Sequence, residues 1–287
     1  EASSLAALLN PGSVVLVGAS RREGTIGRNL LTAMQASGFT GALHVVHPEA
    51  DSVLGVPAHR RLADVPRPVD LAVIAVPAAA VLDVVRDCTL AGVRGLVVVS
   101  GGFAEADEAG AQRQLELVRL ARANGMRVVG PNSWGMINAD PRLRLNISLR
   151  PQMPEADRLG IFCQSGALSV AVLDAAARRS VGISTFLSAG NRADVSANDC
   201  LQYWEADDRT GVIGLYLENT GNPRKFARIA RRVSRTKPVI VLTSGTSGFR
   251  SPTGQQRRSA QAPPEAFDAM LHQVGCLRVA TVRELVD

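Results

Sequence analysis

The stretch that decides the fold is Val14-Val-Leu-Val-Gly-Ala-Ser-Arg-Arg-Glu-Gly-Thr-Ile-Gly27. Its four apolar residues predict a strand buried in a parallel sheet, and the pattern of residues 28–36 predicts a helix. Gly18, Gly24 and Gly27 stand between them, where glycine lets the backbone turn tightly and approach a ligand closely. Because the free N–H groups at the start of such a helix favour a phosphate, the turn predicts a site for a phosphorylated cofactor.

The rest of the chain continues the alternation of strand and helix, which predicts an α/β protein with two parallel sheets. The first unit has predicted strands at 14–17, 42–46, 71–76, 95–99 and 127–129, with helices at 28–36, 79–90 and 109–124. The second has strands at 159–162, 183–187, 212–217, 238–242 and 276–279, and helices at 168–178, 198–205, 223–233 and 265–274. A capping box at 281–284 opens a last helix. The Pro-rich segment 144–158 predicts a linker, so the predicted domains span 1–143 and 159–287.

The composition argues against several classes of protein. Basic residues exceed acidic ones by 32 to 26, but the arginines are scattered and aromatic residues make up 4%, so we expect no nucleic-acid partner. The longest apolar stretch, 71–82, contains Pro77 and is too short for a bilayer, and no signal peptide is visible. The four cysteines show no metal-ligand spacing. We therefore expect a cytoplasmic protein with reduced thiols and no metal, and, because it opens on Glu1, a piece of a longer polypeptide.

A nicotinamide dinucleotide is the first alternative for the cofactor. Its G-x-G-x-x-G fingerprint is followed, about 20 positions on, by an acidic residue that holds the ribose hydroxyls. Here Ala19 and Ser20 follow Gly18, so the second glycine is missing, and the position of the acid falls at His47. The turn therefore disfavours NAD.

Short loops of small residues follow four strands of the first unit: Gly18-Ala-Ser20, Val76-Pro-Ala78, Ser100-Gly-Gly-Phe103 and Gly130-Pro-Asn-Ser133. One such loop is an ordinary Gly/Pro turn. Four at the carboxyl edge of one open α/β sheet favour a ligand crevice, because that edge is where such sheets bind ligands.

The same loops carry the motifs Val-Gly-Ala-Ser-Arg at 17–21, Gly-Gly-Phe-Ala-Glu at 101–105 and Gly-Pro-Asn-Ser-Trp-Gly at 130–135. Related motifs follow at 164–168, 188–194, 215–218, 237–239 and 283–287. In these motifs the chain resembles the NDP-forming acyl-CoA synthetases, relatives of the succinyl-CoA synthetase α subunit, over nearly its whole length. One departure is Ser133, where relatives usually carry Cys.

The resemblance implies a Rossmann-like CoA-binding domain followed by a flavodoxin-like, succinyl-CoA synthetase-like domain. CoA or acetyl-CoA, rather than NAD, would lie along the first crevice. The residues expected to bind it are Gly18, Ala19, Ser20, Arg21, Gly24, Gly27, Pro48, Val76, Pro77, Ala78, Ser100, Gly101, Gly102, Phe103, Asn132 and Ser133.

The second domain repeats the strand–turn–helix pattern at Phe162-Cys-Gln-Ser-Gly-Ala-Leu168. Taken alone, this pattern is an ordinary capped helix start. The resemblance implies instead a phosphate site at Gln164, Ser165, Gly166 and Ala167. Family enzymes make acyl-CoA from a carboxylic acid, CoA and a nucleoside triphosphate through an acyl phosphate. A phosphohistidine carries the phosphoryl group to this half from an ATP-grasp half, and Glu218 matches the carboxylate that orients the histidine.

The phosphohistidine itself is missing from the sequence. Gln256 stands at the expected position in the polar loop 243–264, and a local look-alike would place Pro252 there, but neither side chain has a nucleophilic nitrogen. We therefore expect a ligase-inactive pseudoenzyme, an acetyl-CoA sensor resembling the histidine-deficient regulatory module of protein lysine acetyltransferases, where it is fused to a GNAT-type domain. The alternative is the α half of an active ligase that works with an ATP-grasp partner. Whether the chain is itself an enzyme stays open; a homo-oligomer is compatible with both.

Overall fold

The first half of the chain forms a seven-stranded sheet. The computed structural model describes residues 2–243 and 264–287. The strands are β1 Ser13–Val17, β2 Ala42–Val46, β3 Ser52–Val53, β4 Val56–His59, β5 Leu71–Ile74, β6 Gly95–Val98 and β7 Arg127–Val129, and the helices are α1 Ala2–Leu9, α2 Ile26–Ser37, α3 Ala78–Ala91 and α4 Glu108–Ala123. In the order β3-β4-β2-β1-β5-β6-β7, all pairs are parallel except β3 with β4.

Successive residues of the central strands face opposite sides of this sheet, as the pleat requires. Leu16 and Val73 belong to the core that also contains Leu30 and Met34 of α2. The alternate residues, such as Val15 and Ala72, belong to the core beneath α3 and α4. Because both faces are covered, the strands are apolar along their whole length, which is why they could be predicted from apolar runs.

The second half forms another seven-stranded sheet, in the order β14-β13-β12-β10-β11-β8-β9. Its strands are β8 Gly135–Asn138, β9 Leu145–Ser148, β10 Ala156–Cys163, β11 Ile183–Ser188, β12 Val212–Leu217, β13 Val239–Thr243 and β14 Leu277–Val279. Its helices are α5 Gly166–Arg178, α6 Ala197–Ala206, α7 Pro223–Val233, α8 Pro264–Gln273 and α9 Val282–Val286. Strands β10 to β14 are parallel, whereas β8 and β9 add an antiparallel edge beyond β11.

The structure confirms the predicted fold class of two mostly parallel α/β sheets, and every predicted strand is present. The capping box at Thr281 is also confirmed. Helix α1 and strands β3, β4, β8 and β9 were not predicted. Strands β8 and β9 lie in the stretch predicted as the end of the first domain and the linker, yet they pair with the second sheet. The division at 143 and 159 stays a prediction.

The two sheets share one continuous apolar core. It runs from Leu5 and Leu8 of α1 to Leu201 and Trp204 of α6, all of them almost fully buried. The contact is fixed by the side chain of Asn10, which donates from Nδ2 to the Tyr203 hydroxyl at 2.9 Å. Helix α1, which precedes the first sheet, therefore packs against α6 of the second.

A buried carboxylate holds the sheets together at the end of β7. Asp194, whose side chain is 1% exposed, accepts hydrogen bonds from Arg127 Nε at 2.9 Å, Arg122 Nη2 at 2.8 Å and the Val128 backbone N–H at 2.9 Å. Arg127 also bridges to Asp199, at the start of α6, at 3.2 Å. The charge is thus fully paired, which is the condition under which a buried ion contributes to stability.

No helix in the described parts of the chain has the length and apolar character that a membrane span requires. No group of three or more His, Cys, Asp or Glu side chains in the same residues could hold a metal ion. All four cysteines are free and buried, and burial raises the pKa of Cys88 to about 12 and that of Cys163 to about 11.

Removing the Asp194 carboxylate should destabilise the protein strongly. Asp194→Ala leaves Arg127 buried without its main partner, so we expect the free energy of unfolding to fall by about 3 kcal/mol. Urea unfolding monitored by circular dichroism measures the change. The matched control is Asp83→Ala, which breaks an exposed ion pair with Arg86 and should leave the unfolding midpoint unchanged. Equal losses in the two variants would contradict the assigned role.

Candidate functional site

The four predicted loops of the first sheet lie in contact with one another at its carboxyl edge. Ser100 donates from its hydroxyl to the Val76 carbonyl at 2.5 Å, and the Asn132 N–H donates to the Ser100 carbonyl at 2.9 Å. A Cβ built on Gly18 would lie 2.6 Å from the Ala75 carbonyl oxygen, so the loop after β1 presses on the loop after β5. We call this arrangement the first crevice: residues 18–20, 76–78, 100–103 and 130–133.

The turn after β1 shows why glycine is needed there. Gly18 has φ +98°, and a Cβ on Gly27 would lie 1.9 Å from the Gly18 carbonyl oxygen, so the start of α2 sits directly on the turn. Thr25, the N-cap of α2, accepts no hydrogen bond from the helix; its hydroxyl donates to the Arg22 carbonyl at 2.9 Å. The first N–H groups of α2 therefore have no side-chain acceptor at the N-cap, and an anion bound there stays a prediction.

A second helix, α3, also starts at the first crevice without a side-chain cap, because its N-cap is Pro77. Helices α4 and α7, by contrast, are capped by the side chains of Asp107 and Asn222. Both helices that start at the first crevice thus lack a side-chain acceptor at the N-cap, and a ligand can supply the missing acceptors.

Three predicted residues lie at the outer side of the crevice. Arg21 and Gly24 are exposed, and the Arg21 carbonyl accepts from Arg28 Nη1 at 2.7 Å. Pro48 is also exposed, in the turn after β2. Its neighbour His47 accepts at Nδ1 from the N–H groups of residues 49 and 50, at 3.1 and 2.9 Å.

Sequence reasoning missed the residue that shapes the Gly-Gly-Phe turn (residues 101–103). Glu105 accepts hydrogen bonds from the N–H groups of Gly102 at 2.6 Å and Phe103 at 3.2 Å, and its other oxygen accepts from Asn191 Nδ2 of the second domain. Burial alone would raise the pKa of Glu105, but these hydrogen bonds outweigh burial and hold the pKa below its ordinary value. The signal was present in the motif at 101–105, where an acid follows the Gly-Gly-Phe turn, but its partner in the second domain lies 86 residues away.

Ser133 does not lie open in the crevice. It is 4% exposed, donates to the Ser188 carbonyl at 2.6 Å and accepts from the Gly135 N–H at 2.9 Å. The structure thus places it as a link between the first crevice and β11. Asn132, also part of the first crevice, is exposed and has φ +57°.

The predicted phosphate site lies at the carboxyl edge of the second sheet. The side chain of Ser165 caps α5 through the Leu168 N–H at 3.4 Å, and the first helical residues, Gly166 and Ala167, are partly or fully exposed. Gln164 departs from its predicted role. Its buried amide is engaged with the end of β12: Oε1 accepts from the Glu218 N–H at 2.5 Å, and Nε2 donates to the Asn219 carbonyl at 3.1 Å.

Glu218 therefore lies one strand away from the start of α5, held by Gln164. Its side chain is half-buried and has interaction partners of its own. Gln256, at the expected histidine position, lies outside the described residues, as does Pro252. Of the four histidines, His44 and His59 lie together on β2 and β4, with ring centroids 5.9 Å apart, and His272 is exposed near the end of α8.

Among the described residues, a partly open pocket lies far from this site, at the other end of α5. It is lined by Met153, Leu173 and Val181 among others, and its volume is about 170 Å³. This is below the roughly 300 Å³ at which ligand pockets begin. The open carboxyl edges of the two sheets, rather than this pocket, are the candidate site.

Comparison with known proteins covers both halves of the chain. Residues 12–139 match the family described as a CoA binding domain. Residues 156–287 match the family described as a succinyl-CoA ligase like flavodoxin domain. The two matches leave out the segment 140–155, which contains β9.

Similar full-length proteins are acyl-CoA ligases. The chain is 37% identical over 281 residues to ADP-forming acetate–CoA ligase I of Archaeoglobus fulgidus, covering 98% of this chain and 40% of that protein. It is 32% identical to the α subunit of ADP-forming acetate–CoA ligase I of Pyrococcus furiosus, covering 99% of this chain and 62% of that subunit. The structure of the dinucleotide forming acetyl-coenzyme A synthetase 1 of Ca. Korarchaeum cryptofilum, in complex with phosphate and ADP, superposes with a TM-score of 0.89 at 36% identity, covering 98% of this chain and 61% of that one.

The contacts of Glu105 predict a pH-dependent contribution to stability. A carboxyl whose pKa is lowered by folding stabilises the protein fully above its ordinary pKa of 4.5, and this contribution is lost as the pH falls through the lower, folded value. We therefore expect Glu105→Gln to lower the melting temperature by about 2–4 °C at pH 7. The difference from the unaltered protein should shrink below pH 4.5.

Thermal unfolding between pH 3.5 and 7.5 (roughly one unit below the ordinary pKa to neutrality) measures this difference. Glu49→Gln, at an exposed turn, is the control and should give a small, constant difference. A Glu105→Gln difference that is equally large at the acidic end would show that the lost stability has another source.

Proposed function

Because the chain belongs to the NDP-forming acyl-CoA synthetase family, in which a CoA-binding domain precedes a succinyl-CoA ligase-like flavodoxin domain, we propose that it is the CoA-binding α half of an acid–CoA ligase. The overall reaction joins a carboxylic acid to CoA at the expense of a nucleoside triphosphate, releasing the diphosphate and phosphate. In the relatives named above this activity belongs to proteins longer than this chain.

The observation that carries the proposal is the geometry of the first crevice. Two helix N-termini without side-chain caps, at Thr25 and Pro77, meet loops whose glycines bring the backbone close to a ligand. A pyrophosphate would take the open N–H groups of α2, and an extended pantetheine would follow the ends of β5 and β6. We propose that CoA or acetyl-CoA is held there.

The predicted phosphate site at the start of α5, called here the second site, is where we propose that phosphate reacts. An anion at the start of α5, near Gly166 and Ala167, would be stabilised by the helix N–H groups. Phosphate bound there could attack the thioester carbonyl of an acyl-CoA: a C–O bond forms, the C–S bond breaks, and CoA leaves as a thiolate that takes up a proton. The products are an acyl phosphate and CoA, and the reverse step makes the thioester.

This half-reaction needs no phosphohistidine, whereas coupling to a nucleoside triphosphate does. The sequence has no histidine between 243 and 264, so an ATP-grasp partner would have to supply the phosphoryl carrier as well as the nucleotide site. We propose such a partner, as a second chain or as a further domain of the same polypeptide.

The missing histidine also supports a second candidate, a CoA-sensing module without ligase activity. In that case the first crevice would bind acetyl-CoA, and the second site would catalyse no reaction with phosphate. A GNAT-type acetyltransferase domain would be the regulated partner. The two candidates share the first crevice and differ in phosphate chemistry.

CoA binding is the first expectation of the proposal. Isothermal titration should show binding to the unaltered chain, and Ser20→Asp should weaken it at least tenfold, because a carboxylate at the turn repels the pyrophosphate. The change should not unfold the turn, since Ser20 already accepts from the Arg22 N–H as an Asp would. Ser180→Asp, exposed at the far end of α5, is the control. Failure of the unaltered chain to bind CoA would refute both candidates.

Phosphorolysis separates the two candidates. A ligase half should release CoA from acetyl-CoA in the presence of phosphate, with trapping of the acyl phosphate by hydroxylamine. Ala167→Asp places a carboxylate at the start of α5 and should raise the KM for phosphate at least tenfold. The matched control is Ala109→Asp, in the first turn of α4 and equally exposed. CoA binding without any phosphate-dependent release would favour the sensing module.

A further inference from the structure

Two consecutive residues of the second domain, Asn191 and Arg192, donate hydrogen bonds to different parts of the protein. Asn191 donates from Nδ2 to Glu105, the carboxylate that holds the N–H groups of the Gly-Gly-Phe turn, and to Gln114 Oε1 of α4 at 2.9 Å. Arg192 donates to the carbonyl oxygen of Asn219 at 3.1 Å and to its side-chain oxygen. One residue therefore contacts the first crevice, and the next contacts the turn that carries Glu218 (residues 218–221).

The backbone of residues 190–193 is held in place by hydrogen bonds to the loop after β7. The Asn191 N–H donates to the Pro131 carbonyl at 2.9 Å, and the Ala193 N–H donates to the Gly130 carbonyl at 3.1 Å. A Cβ on Gly190 would lie 2.3 Å from the Pro131 oxygen, so the segment lies directly against the loop after β7. Arg192 itself has φ +53°, a left-handed conformation that a residue with a Cβ adopts at a cost.

On the side of the second sheet, Asn219 accepts hydrogen bonds from two side chains. Its carbonyl accepts from Arg192 and also from Gln164 Nε2, while Gln164 Oε1 accepts from the Glu218 N–H. The path from the Gly-Gly-Phe turn to the Glu218 backbone is thus continuous: Glu105, Asn191, Arg192, Asn219 and Gln164. The Glu105 carboxylate is hydrogen-bonded both to the Gly-Gly-Phe turn and to Asn191, so it links the crevice loop to the segment 190–193.

We infer that Asn191 and Arg192 are positioning residues that couple occupancy of the CoA crevice to the position of the Glu218 turn. The inference rests on the proposed binding of CoA in the first crevice. Bound CoA would order the Gly-Gly-Phe turn, and the rigid segment 190–193 would carry that order to Asn219 and Glu218. Neither residue touches the reacting atoms; each acts through its partner.

Arg192→Gly is the decisive variant. It removes the guanidinium, and it also removes the cost of the left-handed backbone, because glycine adopts φ +53° freely, so the fold should be retained. Arg144→Gly is a matched control: Arg144 also has a positive φ, +55°, and also donates to a backbone carbonyl, that of Ser37 at 2.7 Å, but at the β8–β9 loop. Asn191→Ala interrupts the other end of the path, and Arg192→Lys restores a donor.

Hydrogen–deuterium exchange of residues 216–221, with and without saturating CoA, is the measurement. CoA should slow exchange there in the unaltered chain and in Arg144→Gly. The CoA-dependent slowing should fall to less than half in Arg192→Gly and Asn191→Ala, and it should return in part in Arg192→Lys. A merely structural role would speed exchange equally with and without CoA and leave the difference intact.

The two failures are distinguishable by titration calorimetry on the same samples. If CoA binds but Arg192→Gly or Asn191→Ala keeps the full CoA-dependent slowing, or if the unaltered chain shows none, the coupling is overturned while the proposed function stands. If CoA does not bind the unaltered chain, the proposed function fails and the coupling fails with it.

Discussion

Both candidate sites depend on the segment 189–195, which lies hydrogen-bonded along the end of β7 and the loop after it. Three backbone bonds define the contact, from Asn191 to Pro131, from Ala193 to Gly130 and from Val195 to Val128, at 2.9, 3.1 and 3.1 Å. Because the segment continues directly from β11, it brings the carboxyl ends of the two sheets side by side. The proposed CoA crevice and the proposed phosphate site therefore lie at neighbouring strand ends.

The charges at this contact fix its register. Asp194 is buried, and burial of a carboxylate is unfavourable unless its oxygens are fully hydrogen-bonded. Arg127, Arg122 and the Val128 N–H meet that requirement in a single alignment of the segment. Burial alone would lower the pKa of Arg127, but its hydrogen bonds and charge interactions with Asp194 and Asp199 outweigh burial and raise the pKa. A slip by one residue would remove Asp194 from its donors.

The sequence predicted the parts of this arrangement that are local. Buried parallel strands are apolar runs, and loops of Gly and Pro mark their ends, so β1, β5, β6 and the first crevice could be located from residue type alone. Strands β8 and β9 were missed because Asn138, Asn146 and Ser148 point into the interior and give no apolar run, although all three are 0% exposed. Glu105 was not predicted, and the contacts of the Gln164 side chain with residues 218 and 219 were not foreseen. In both cases the hydrogen-bond partners are distant in sequence, and the type of a residue does not reveal a distant partner.

The placement of Gln164 bears on what the second site does. Its amide is committed on both sides to the backbone at Glu218 and Asn219, so phosphate at the start of α5 would be bound by helix N–H groups and not by this side chain. The amide instead keeps the Glu218 turn against the end of β10, and Arg192 holds the same turn from the other side. A ligase needs that turn fixed so that a carboxylate can orient a phosphoryl carrier, and a sensor needs it fixed so that occupancy of the crevice changes a defined surface. The hydrogen-bonded path from Glu105 to Glu218 holds the turn in either case, so the proposed coupling is the same for both candidates. The chemistry at the start of α5 decides between them.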